Sequence, residues 1–105
     1  MSKMKLINLS NHPSSTWQEK QIAAATAFGD IVDYPFPKVD PTINSNEVHK
    51  LAESTLGEII RLYGNDILTI HIMGEFTLTF SLINLFKSKG IKCIASTTER
   101  VVTVR

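Results

Sequence analysis

The sequence predicts an α/β protein, a small Rossmann-like three-layer fold around a mostly parallel sheet. Two observations carry this. Short strand-like runs alternate with stretches of helical length, which is the pattern of parallel strands joined by helical crossovers. One of those runs, Ile67-Leu68-Thr69-Ile70-His71-Ile72-Met73, reads as apolar on both faces, as a central strand covered on both sides does. The length, 105 residues, is that of one ordinary domain, so a single domain over 1–105 is expected. A single small domain has no cleft between domains. A deep site must then lie on one sheet or between copies of the chain.

Lys5-Leu6-Ile7-Asn8-Leu9-Ser10 reads as the first strand and Asn11-His12-Pro13-Ser14-Ser15 as the loop after it. Ser15 with Gln18 three residues on suggests a capping box, opening an alanine-rich helix from about Thr16 to Phe28 that Gly29 ends. Asp30-Ile31-Val32-Asp33-Tyr34 is a second strand. Pro35, Pro37 and Pro41 then forbid regular structure. Asn44, Ser45 or Asn46 caps a second helix, on which Val48, Leu51, Ala52, Leu56, Ile59, Ile60 and Tyr63 keep the 3.6-residue period. After the 67–73 strand and the Gly74-Glu75 junction comes a helix from Phe76 to Ser88. A fourth strand follows over 91–96, a turn at Thr97-Thr98-Glu99-Arg100, and a fifth strand from Val101. Right-handed crossovers favour the order 2-1-3-4, with the fifth strand antiparallel on an edge.

Composition narrows the function. Apolar residues are 43% and charged residues 20%, which argues against disorder and coiled coils. The net charge is +1, from 11 basic and 10 acidic residues, so no basic field is present for long nucleic acid. Cys93 is the only cysteine, which rules out an internal disulfide and fits a reducing, cytoplasmic setting. The Met1–Lys5 start shows no apolar signal core, and no apolar run nears the ~18 residues of a membrane span. The three histidines lack metal-ligand spacing, and neither the dinucleotide fingerprint nor the P-loop occurs, so no metal and no cofactor is expected.

Ligands of open α/β sheets bind beyond the carboxyl ends of the strands. Three polar segments leave those ends here: Ser10–Ser15, Gly74–Thr77 and Ser96–Arg100. Backbone amides of the two segments that enter helices can meet an anion. Asn11, Ser14, Ser15, Gly74, Thr77, Ser96, Thr97, Thr98 and Arg100 are the candidate ligand-binding residues. His12 is the titratable candidate for acid or base work. Glu75 is a candidate base, and equally an acid placed to favour a helix N-terminus. His71 reads as a core histidine and His49 as a solvated one. Trp17 reads as a core anchor, with a stacking platform as the alternative, and Cys93 as buried. The helix over 76–88 is apolar almost all round (Phe76, Leu78, Phe80, Leu82, Ile83, Leu85 and Phe86), which suggests a second chain packed on it in a homodimer.

Leu9-Ser10-Asn11-His12-Pro13-Ser14-Ser15, with Gln18 and Gln21 behind it, resembles the opening of small stand-alone CRISPR-associated proteins of the CARF (CRISPR-associated Rossmann fold) type. The Gly74-Glu75 junction and the Ser96-Thr97-Thr98 turn fall where that family places ligand loops. Serine in place of threonine after His12-Pro13 and the Pro35–Pro41 segment depart from the family pattern. The resemblance implies a homodimer that binds a cyclic oligoadenylate, of tetra-adenylate size, on its axis. It further implies a ring nuclease that cleaves the ring without metal through the neighbouring 2′-hydroxyl, with His12 and Glu75 as acid and base. A non-catalytic sensor or sponge is the second possibility, and a structural or interaction module of the same fold the third.

Overall fold

The computed structural model describes residues 3–96 and 101–103. Its elements in chain order are β1 (Met4–Leu9), a 3-10 turn (Ser14–Thr16), α1 (Glu19–Thr26), β2 (Asp30–Tyr34), α2 (Ser45–Tyr63), β3 (Ile67–Ile72), α3 (Phe76–Ser88), β4 (Lys92–Ser96) and β5 (Val101–Thr103). The sheet order is β2-β1-β3-β4-β5. The first four strands are parallel and β5 pairs antiparallel with β4, so the architecture is the small Rossmann-like one the sequence predicts.

Strand side chains alternate between faces, and this divides the core. On one face Ile7, Leu9, Leu68, Ile70, Ile72 and Cys93 meet Val48, Ala52, Leu56 and Ile59 of α2 and Leu78, Leu82 and Phe86 of α3. On the other, Leu6 and Ile94 meet Ala25 of α1, with Trp17, Phe28 and Ile31 around them. Helices therefore lie on both faces of the sheet.

Local chemistry accounts for most of the helix ends. Asn44 Oδ1 accepts from the Glu47 amide at 2.9 Å, and Asn44 Nδ2 donates to Glu47 Oε1 at 2.8 Å, a reciprocal cap at the start of α2. At the end of α3 the Ile91 amide donates back to the Phe86 carbonyl at 2.9 Å and Gly90 takes φ +74°, the left-handed stop that glycine favours.

The first helix differs from expectation. Ser15 caps nothing; α1 begins at Glu19, with Gln18 extended before it and no side-chain cap. The reason is tertiary. Ser14 donates from its amide and its hydroxyl to the Asp33 carboxylate, each at 3.1 Å, so the segment is tied to β2 rather than wound into α1. Trp17 is extended as well, at φ −76° and ψ 148°, and its ring meets His71 edge-on at 5.0 Å.

The proline-rich segment seats Phe36, which is buried, beneath Gly74. A Cβ on Gly74 would stand 2.5 Å from the Phe36 ring, so only glycine fits there.

Candidate functional site

Parallel register sets the site. Leu9 pairs with Ile72, so the loops after β1 and β3 leave the sheet side by side, and the Met73 amide donates to the Leu9 carbonyl at 3.1 Å. Ser96 ends β4 on the same edge, β4 being parallel to β3. Thr97, Thr98 and Arg100 lie outside the described residues.

Below the first loop lies a row of polar side chains across the sheet. Asn8 pairs with Asp33 on one side and with His71 on the other. Asn8 is fully buried, a costly place for an amide unless every bond is met. Its Nδ2 donates to Asp33 Oδ1 at 2.8 Å and to the His12 carbonyl at 2.9 Å. Its Oδ1 accepts from Ser10 Oγ at 2.8 Å and stands 3.1 Å from His71 Nδ1. An amide oxygen only accepts, so the His71 proton facing it is on Nδ1. The His12 amide donates to Ser10 Oγ at 3.2 Å.

The electrostatics follow from these contacts. Burial pushes the Asp33 carboxyl up, but the hydrogen bonds from Asn8 and Ser14 outweigh it and hold the group below the usual carboxylate range. Burial lowers the His71 imidazole below its ordinary value, so the ring is neutral at neutral pH. Burial also pushes the Cys93 thiol up to about 11, which leaves it protonated and a poor nucleophile.

Glu75 is the N-cap of α3. Its Oε1 accepts from the Thr77 amide at 2.9 Å and its Oε2 from the Leu78 amide at 2.8 Å. These bonds, Leu78 first, hold its carboxyl below the usual range. Both carboxylate oxygens are therefore engaged, and the α3 amides expected to meet a ligand anion already hold one. Ser14 likewise points both of its donors inward to Asp33. Asn11, His12, Ser15, Gly74 and Thr77 are exposed on the carboxyl edge. His49 is exposed, with Nε2 2.7 Å from Glu53 Oε1 one helical turn on.

Asn8 and Asp33 are the site residues that sequence reasoning missed. The available signal was a polar side chain inside each of two strand runs, Ile7-Asn8-Leu9 and Val32-Asp33-Tyr34. Among the described residues no group of three or more His, Cys, Asp or Glu stands together in a way that could hold a metal ion. No described helix is long and apolar enough to cross a membrane.

The groove between the start of α2 and α3 holds about 390 Å³, lined by Ser45, Val48, His49, Phe76, Phe80 and Asn84 among others. Phe76 is 78% exposed and Phe80 61%, with ring centroids 6.2 Å apart.

Comparison with known proteins adds the following. A search of curated proteins finds no match. Among solved structures the chain is similar to Enterococcus italicus Csm6 bound to cyclic hexa-2'-fluoro-hexa-dAMP, with a TM-score of 0.56 and 10% sequence identity. The match covers 99% of this chain and 36% of that one, so the chain spans about a third of the Csm6 length. The likeness is one of fold. A family model matches residues 4–105, and by that match the chain belongs to the Uncharacterized protein MJ1673 family.

Proposed function

We propose that the chain binds a cyclic oligoadenylate, of tetra-adenylate size, at the carboxyl edge of its parallel sheet and on a homodimer axis, and that it opens the ring. The observation that carries this reading is the arrangement at that edge. The Asn11–Ser15 loop, held from below by Asn8 and Asp33, leaves the sheet beside the Gly74–Thr77 turn. The likeness of the fold to an oligoadenylate-bound Csm6 supports the ligand class. The exposed Phe76 and Phe80 on α3 support a second copy as the partner.

Ring opening needs little from the protein beyond geometry and a proton acceptor. A 2′-hydroxyl loses its proton and its oxygen bonds to the adjacent phosphorus. The bond from phosphorus to O5′ breaks, and O5′ takes a proton. The product is a linear oligoadenylate with a 2′,3′-cyclic phosphate at one end and a 5′-hydroxyl at the other. His12 is the acid/base group in this reading. Asn11, Ser15, Gly74 and Thr77 lie at the ligand edge; Ser96, Thr97, Thr98 and Arg100, at and after the end of β4 in the sequence, are the further ligand-binding candidates of this reading. In-line positioning supplies most of the acceleration. Glu75 orders the turn through its cap.

The test is incubation of the protein with cyclic tetra-adenylate in EDTA, followed by chromatography of the products. Linear product from the wild type, reduced about a hundredfold or more in His12→Ala, is the expected result. No product with protein in excess over ring removes the catalytic part. One observation favours a second reading, a binder that does not cut: the Glu75 oxygens are both taken by α3 amides, so Glu75 is not free to share the proton work with His12. A thermal shift on adding the ring, without turnover, selects that reading. No shift with cyclic or linear adenylates selects a structural module.

A further inference from the structure

We infer that Asn8 is the positioning residue of the His12 loop, an inference that rests on reading that loop as the ligand loop. Packing alone does not call for an amide at this place. Leucine has the same branching, and Leu6 fills the neighbouring position on the same face of β1. The amide instead uses all four of its hydrogen-bonding positions, at 2.8 to 3.1 Å, and sends them to three separate parts of the chain. One bond reaches β2 at Asp33, one reaches β3 at His71, and two reach the loop, at Ser10 and at the His12 carbonyl.

The consequence is directional. Nδ2 donates to both the His12 carbonyl and Asp33, and Asp33 in turn receives the Ser14 amide and hydroxyl. The backbone on either side of Pro13 is thereby anchored at two points to one buried side chain and its neighbour. The backbone of His12 is fixed against the sheet, while its side chain stands in solvent. A group that must meet a phosphodiester in line needs such an anchor, because a displacement of about 1 Å costs roughly a hundredfold in rate.

The experiment compares wild type, Asn8→Leu and Asp33→Ala by ¹⁵N backbone relaxation of residues 11–15 and by single-turnover ring opening. In the wild type the loop order parameters lie near about 0.85. Asn8→Leu lowers those of Asn11, His12 and Ser14 below about 0.6 while α2 stays rigid. It also lowers the turnover rate about ten- to a hundredfold, with KM within about threefold. Unchanged order parameters, or a mobile loop with an unchanged rate, overturn the inference. Should Asn8→Leu fail to fold, Asp33→Ala decides: Ser14 loosens while His12 stays rigid if Asn8 is the anchor, and equal loosening of both overturns it. A wild type that neither binds nor opens the ring ends the ligand reading, and the relaxation data then still decide whether Asn8 holds the loop.

Discussion

Under α2 and α3 the sheet buries Ile7, Leu9, Leu68, Ile70, Ile72 and Cys93 against seven further apolar residues of the two helices. Under α1 it buries Leu6, Ala25 and Ile94, together with Asn8, Ser10, Thr69 and His71. One face is a continuous apolar layer. The other mixes apolar and polar side chains, and Asn8, Ser10 and His71 of its polar set lie toward the carboxyl end of the strands. Apolar contact is non-directional and gives stability wherever surface is removed from water. Hydrogen bonds are directional, and a buried set of them fixes one arrangement of the chain at little net gain in stability. The comparison therefore separates the face that holds the fold from the face that shapes the loop.

The largest test of this separation is Phe86→Ala on α3. Phe86 is fully buried in the apolar face, so its truncation costs about 3–5 kcal/mol in chemical denaturation. A loss below about 1 kcal/mol would mean that this face does not carry the stability.

A pH series probes the polar face. An unfolded histidine takes its proton near about 6.5, whereas burial makes folded His71 take one only at lower pH. Between those two values the unfolded chain holds more protons, so stability falls as pH drops from about 6.5 and this effect is absent above it. The denaturation midpoint followed from pH 8 to 5 should show the fall, and His71→Asn should remove it. Asp33, the carboxylate across Asn8, has a lowered value, so its stabilising contribution is lost only at still lower pH. Equal pH dependence in wild type and His71→Asn would contradict the assignment.

The smallest effect on stability is expected at Phe80. It is 61% exposed, and Phe80→Ser should change stability by no more than about 0.5 kcal/mol. In a dimer packed through α3 the same change weakens association, read by sedimentation. Association equal to that of wild type would place the partner elsewhere.

Elements that depend on near neighbours were legible in the sequence. The α2 cap needs only Asn44 and Glu47, three residues apart, and α3 has the bounds the apolar pattern assigns, Phe76 to Ser88. The start of the first helix was not legible. Ser15 and Gln18 satisfy the local rule for a cap, yet Asp33, nineteen residues from Ser14, holds the segment in a 3-10 turn instead. The candidate site divides in the same way. The carboxyl-edge loops followed from the strand order, whereas the inward commitment of Ser14 and the cap role of Glu75 required side-chain geometry.

From the chain alone came the alternation of strands and helices, the parallel order with its antiparallel edge, and the rim on which the exposed histidine of the first loop stands. These rest on periodicity and short-range sterics, which every few residues report independently. Tertiary structure alone decided that Asn8 meets Asp33 and His71. Those partners are 25 and 63 residues away, and they become neighbours only when the strands pair in register. A buried amide can be satisfied in many ways, and only the assembled sheet selects one.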